Sequence, residues 1–192
     1  MRTIVKAASM NWDLEERAAR ARLYHLLYGG RMAVEEVLLQ MDPSDVPTLM
    51  AGVDEPSNAP SVEIRGVTVH SGDVLVSRGG APTSAFIARG NDWPGNFSHI
   101  ALVHVDGDGR ARTIEAHIEL GVVVAGPEKY LGDPKLRILV LRPRSALVDG
   151  GTLAAAAADH ALNEAQSRHI PYDFQMRYQD PTEMFCSEVA SA

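Results

Sequence analysis

The chain has 192 residues, enough for one well-packed domain with an appendage, and its 45% apolar and 22% charged content is ordinary for a globular protein. A net charge of -7 argues against the basic face of a nucleic-acid binder. No run approaches the roughly 18 apolar residues of a membrane helix, and a single cysteine excludes both an internal disulfide and a cysteine-built structural zinc site.

Residues 1–10 have a basic start but no apolar core, and Asn11, Asp13, Glu15 and Glu16 follow at once, so no signal peptide is expected. A cytoplasmic protein fits this, as does an exported one whose chain has been trimmed. Residues 12–52 read as helical, with Leu14, Ala18, Ala21, Leu23, Leu26 and Leu27 recurring mostly at spacings of three and four. Gly29-Gly30 is expected to end that helix, since glycine takes the left-handed conformation common there. A second helix is expected from Met32 to Met41, with Val34, Val37, Leu38 and Met41 on one face, before Pro43 and Pro47 break the pattern. Turn formers dominate 53–61, so residues 1–60 are assigned to a helical N-terminal appendage and linker, without catalytic chemistry of its own.

Beyond residue 60 the period changes. Val62–Ile64, Val67–Val69, 72–77, 98–105, 111–116, 120–124 and 136–142 are short and rich in Val, Ile and Leu, which predicts strands. Asp106-Gly107-Asp108-Gly109 joins two of them as a hairpin turn rather than a calcium loop, which needs more oxygen ligands at set offsets. Thr152 is placed to cap a helix that runs through the alanines 154–158 to about Ser167. Pro171 and Pro181 bracket an irregular stretch, and a last helix is expected to open near Cys186. Helices, then antiparallel strands, then helices make an α+β domain over 61–192.

Cys186 is a packing residue, an incidental thiol or a nucleophile. The nucleophile reading needs a histidine brought close by the fold. If 98–105 is extended, His99 shares a face with Ala101, Val103 and Val105, while Ser98, Ile100, Leu102 and His104 face the other way. An imidazole on an apolar face needs a partner, a backbone carbonyl or an acid. On the next strand Glu115 and His117 share a face, and either side chain, Glu115 first, can orient the imidazole. A cysteine at a helix start would also gain from the helix dipole, and its backbone N–H could serve a developing oxyanion. A metal site from His99, His104, His117 and Cys186 is disfavoured, because His99 and His104 should face opposite ways; no metal and no cofactor is expected.

Taken in order, Gly72-Asp73-Val74-Leu75, Phe97-Ser98-His99-Ile100-Ala101, Ile114-Glu115-Ala116, Pro171-Tyr172-Asp173 and Phe185-Cys186-Ser187-Glu188 resemble the circularly permuted NlpC/P60 hydrolases. These are the YiiX/YebB-like branch of the papain-like superfamily, in which the histidine precedes the cysteine. The resemblance covers about 66–190. It implies a permuted papain-like fold: a small antiparallel sheet or half-barrel packed on helices, with a helix that carries the cysteine. It also implies Cys186 as nucleophile, His99 as general base and acid, and Glu115 as the group that orients His99. Tyr172, matching the tyrosine of the family's Pro-Tyr-Asp motif, lines the site, aids the oxyanion or packs in the core; Ser98 and His117 are further candidates for substrate or oxyanion contact. Members of the wider group act on amide bonds of cell-wall peptides or on acyl groups of lipids, so a small peptide, amide or lipid-acyl substrate is implied, through an acyl-enzyme intermediate.

One departure from the family pattern is that only six residues follow Cys186, under two helical turns at about 3.6 residues each, so a domain shortened at its C-terminus is expected. The competing reading keeps the fold and drops the chemistry, making a catalytically inactive papain-like binding module.

Overall fold

A computed structural model describes residues 2–42, 45, 52, 54–89, 96–178 and 180–191. The chain divides into two units, Met1–Met50 and Ala51–Ala192. No helix among the described residues is long and apolar enough to cross a membrane.

The first unit holds α1 (Arg2–Ser9) and α2 (Arg17–Gln40). Contrary to the expectation of two helices, α2 continues through Gly29-Gly30. A glycine in a helix interior costs about 1 kcal/mol relative to alanine, which weakens the helix without forcing a stop. No left-handed turn is taken there, and nothing lies within 4 Å of where a Cβ of Gly29 would stand. Tyr24 and Tyr28, one turn apart, stack at 5.5 Å just ahead of the glycines. The turn before α2 is tied down by Arg20, whose guanidinium donates to the Leu14 and Glu15 carbonyls at 2.7 Å each. Pro43, Pro47 and Val53 lie outside the described residues.

The second unit opens with a hairpin of β1 (Ser61–Ile64) and β2 (Val67–His70). Arg65 and Gly66 make its two-residue turn, both at positive φ (49° and 78°), as such turns require. A five-stranded sheet follows, built from β3 (Val74–Gly79), β4 (His99–Val105), β5 (Ala111–His117), β6 (Gly121–Ala125) and β7 (Lys135–Leu141). Its strand order is β6-β5-β4-β3-β7, and every neighbouring pair is antiparallel. The expected strands are all present, each within two residues of its predicted bounds. Helices α3 (Pro82–Arg89) and α4 (Pro127–Gly132) were not foreseen; each opens on a proline, whose fixed φ suits the first helical position. Asp106 closes the β4–β5 turn by accepting from the Asp108 and Arg110 N–H groups at 3.0 and 2.9 Å.

Strand alternation divides the core between the two faces of the sheet. Leu102, Ile114, Ala116 and Val122 pack with Ala158, Leu162, Ile170 and Val189 on one side. Leu75, Ala101, Val103 and Val105 pack with Val69 and Tyr130 on the other. Ala158 and Leu162 belong to α5 (Thr152–Ser167). Thr152 is not the cap of α5 but its first residue: Gly151 precedes it at φ 103°, and no side chain caps the end. Two short 3-10 turns, Ser145–Leu147 and Asp149–Gly151, lead into the helix, and the Val148 carbonyl accepts from the Leu153 N–H at 3.1 Å. A backbone carbonyl thus serves a donor that a capping hydroxyl would otherwise help to satisfy.

Residues 54–60, read as linker, are bound into the second unit. Arg142 donates to both carboxylate oxygens of buried Asp73 at 3.0 Å and also to Asp54 Oδ1 at 2.8 Å and the Glu55 carbonyl at 2.6 Å. The Asn58 N–H meets the Gly150 carbonyl at 2.7 Å. Gly72, at φ 88°, allows Ala154 of α5 to approach so closely that a Cβ would lie 2.5 Å from its backbone. The Gly72-Asp73 motif is therefore a joint between the sheet, α5 and the 54–55 segment.

Candidate functional site

His99 is the first residue of β4. Serine 98 precedes it in a buried corner: Ser98 N–H donates to the Ser77 carbonyl at 2.8 Å, and Ser98 Oγ accepts from the Gly79 N–H at 3.3 Å and donates to the Ser77 carbonyl at 3.5 Å. This hydroxyl secures the entry to β4 against β3. The His99 ring then points to the β5 side chains on the Tyr130 face. Its Nε2 lies 2.7 Å from Glu115 Oε2.

Glu115 is 3% exposed in the middle of β5. Thr113, two residues earlier on the same face, donates from Oγ1 to Glu115 Oε1 at 3.0 Å. His117, two residues later, brings Nε2 within 3.5 Å of Oε2, a charge-pairing distance without hydrogen-bond alignment. Burial by itself would raise the Glu115 pKa, but His117, His99 and Thr113 together outweigh it and hold the carboxyl at about 2. Burial likewise disfavours a charged His99. The Cys186 thiol and the Glu115 carboxylate override that and raise His99 to about 9. Tyr130 lies under the His99 ring, centroids 6.3 Å apart and 26° between planes, and His117 meets it edge-on at 5.7 Å. Burial first, then the Glu115 charge, pushes the Tyr130 hydroxyl above its ordinary pKa.

Cys186 is half-buried, and although it is far from His99 in the chain, its sulfur is one of the groups that raise the His99 pKa. It does not begin an α-helix, contrary to expectation. It sits in a turn ahead of a single 3-10 turn, Glu188–Ala190. So brief an element sums few peptide dipoles, and His99 is the positive group beside the sulfur. The turn is held by reciprocal bonds at 3.0 Å: the Phe185 N–H donates to Glu188 Oε2, and the Glu188 N–H to the Phe185 carbonyl. Val189 anchors it in the core beside α5.

Tyr172 reaches the same place through the backbone. Met184 N–H donates to the Pro171 carbonyl at 3.0 Å and Asp173 N–H to the Met184 carbonyl at 3.1 Å, lacing the Pro171-Tyr172-Asp173 motif to the cysteine segment. Gly121 makes room for this strand of chain. At φ 73° it lets Ile170 come so near that a Cβ would stand 2.1 Å from the Ile170 carbonyl oxygen. The Tyr172 side chain packs against the α5-side core, and burial, then Cys186 and Asp173, raises its hydroxyl pKa.

His104 is separate from this group. It faces α5, and its Nε2 lies 2.9 Å from Asp159 Oδ1. Cys186, His99, Glu115, His117 and Tyr172 thus gather at one end of the sheet, and the Ser98 hydroxyl is occupied by β3. Sequence reasoning missed Thr113, Tyr130 and Glu188. Thr113 and Glu188 were legible in principle, as the Thr113-x-Glu115-x-His117 alternation and as an acid three residues after Phe185; Tyr130 arrives from an unforeseen helix.

No family model and no curated protein matches this chain. One solved structure, that of the metalloprotein YiiX from Escherichia coli O157:H7, is similar at 21% identity and a TM-score of 0.45. The match covers 62% of this chain and 61% of that one, so the chain spans under two thirds of that protein's length.

Proposed function

We propose that the chain is a cysteine hydrolase that cleaves an amide or ester bond through an acyl-enzyme intermediate, on a permuted papain-like arrangement in which the histidine strand precedes the cysteine segment. The observation that carries this reading is the 2.7 Å contact of His99 Nε2 with buried Glu115, on a histidine whose pKa the Cys186 sulfur helps to raise.

With Nε2 engaged by Glu115, Nδ1 is the nitrogen left to take the thiol proton. Glu115, kept ionised, fixes that tautomer and stabilises the imidazolium that forms. The thiolate adds to the substrate carbonyl, and the oxyanion is met by the Cys186 backbone N–H and the Tyr172 hydroxyl. Collapse expels the amine or alcohol, which takes the proton from His99. Water then gives a proton to His99 and attacks the acyl-thioester, which returns the free thiol and releases the acid. A small peptide, another amide or a lipid acyl group all satisfy this chemistry.

The test is labelling by an electrophilic acyl probe. Wild-type protein should take up one probe at Cys186, and Cys186→Ala should take up none while its circular dichroism spectrum stays the same. A folded wild-type protein that never labels would instead favour the catalytically inactive binding module.

A further inference from the structure

A buried carboxylate between two imidazoles suits a second chemistry. His99, Glu115 and His117 each offer a ligand atom, and these atoms all lie within 4.8 Å of one another. His117 Nε2 is buried without a hydrogen-bond partner, although Glu115 Oε2 is only 3.5 Å away. Its only partner among the described residues is the Glu115 charge, without an aligned hydrogen bond, and a buried polar atom without a hydrogen bond is costly.

We propose that His99 Nε2, the Glu115 carboxylate and His117 form a binding site for a divalent transition-metal ion of the zinc class, and that its occupancy switches off the Cys186 thiol. Two imidazole nitrogens and one carboxylate oxygen are a donor set that zinc accepts, with a fourth position left for water. Imidazole-rich sites also favour zinc, copper or nickel over magnesium or calcium. Ligand atoms about 2.0–2.1 Å from a tetrahedral zinc stand about 3.3 Å apart. The His117–Glu115 separation of 3.5 Å is already near that value, and the 2.7 Å between His99 and Glu115 opens once no proton is shared between them. Thr113, which donates to the other carboxylate oxygen at 3.0 Å, is the outer partner that fixes the ligand's orientation.

Strand alternation was sound in setting His104 apart from His99. The set weighed from the sequence, His99, His104, His117 and Cys186, left out Glu115, which stands two residues from His117 on one strand and hence on the same face. The effect on the thiol follows from valence and rests on the hydrolase reading, whereas the site itself does not. An ion on Nε2 uses that lone pair and leaves the neutral ring its proton on Nδ1. His99 then has no site to accept the thiol proton, and Glu115 no longer orients it.

The experiment uses the full chain stripped with EDTA and titrated with zinc in a calorimeter. Wild type and Cys186→Ala should each bind one ion, and His117→Gln should bind roughly tenfold or more weakly. Cobalt(II) added to wild type should give visible ligand-field bands without a sulfur-to-metal charge-transfer band, a readout independent of how the variants fold. Zinc should slow alkylation of Cys186 by iodoacetamide, and EDTA should restore it. Absence of zinc uptake by wild type, equal binding by His117→Gln, or loss of the ion in Cys186→Ala would each overturn the site. Alkylation indifferent to bound zinc would overturn the switch. If zinc binds as expected while stripped protein never takes an acyl probe, the site stands and the hydrolase reading falls.

Discussion

Strand β4 carries two histidine–carboxylate pairs, one on each face of the sheet, and they are built differently. His99 meets Glu115 at 2.7 Å, and His104 meets Asp159 at 2.9 Å. The lengths barely differ. The carboxylates do: the Glu115 side chain is 4% exposed and that of Asp159 64%. Water competes for Asp159 and screens its charge, so that pair adds little beyond pinning α5 to the sheet. Glu115 has no such competition and is braced by Thr113. The second ring nitrogens differ as well. That of His104, Nδ1, is buried without a hydrogen-bond partner, whereas His99 has the Cys186 thiol beside it. In the proposed hydrolase, what sets the His99 pair apart is a buried acid and a thiol near the ring.

The contrast can be broken most directly at the two imidazoles. His99→Ala should slow acylation of Cys186 in stripped protein at pH 7 by about 10²–10⁴-fold, the usual share of a general base. His104→Gln, which keeps a polar group facing Asp159, should change that rate little. Equal losses in the two variants would show that the faces are not functionally distinct.

The carboxylates come next. Glu115→Gln keeps the shape but removes the charge that orients His99, and should slow acylation by roughly 10–100-fold, part of that same contribution. Asp159→Asn should leave the rate alone and shift stability by less than about 1 kcal/mol in thermal melts, as exposed pairs do. A large melting shift in Asp159→Asn with none in Glu115→Gln would reverse the assignment.

The smallest effect sharpens the comparison. Thr113→Val retains volume but loses one hydrogen bond to Glu115, worth about 1 kcal/mol, or roughly fivefold in the acylation rate. A rate equal to wild type would mean that β5 alone fixes the carboxylate.

Much of this was legible because a strand's side-chain period is fixed by its backbone. The separation of His99 from His104, and the common face of Glu115 and His117, follow from alternation once the strands are recognised. The hairpin turn at 106–109 was legible for a similar reason, since Asp and Gly bond and bend locally. Helix ends were less legible. Gly29-Gly30 does not stop α2, and Thr152 does not cap α5, because propensity and capping are worth about a kilocalorie per mole and neighbouring structure can override them. The segment after Cys186 makes a 3-10 turn, held by Glu188 rather than by helical repetition.

By itself the amino-acid sequence determined an α+β chain with an antiparallel sheet, and offered one thiol and a histidine on an apolar strand face as candidates. Those conclusions need only local rules of period, turn chemistry and residue type. Tertiary structure decided the rest: that Arg142 binds the 54–55 segment to the sheet, that Gly121 admits Ile170 and with it the cysteine segment, and that α4 slides Tyr130 beneath His99. It alone decided that His117 Nε2 ends up buried beside the Glu115 carboxylate without a hydrogen bond, because burial arises only when the chain closes on itself.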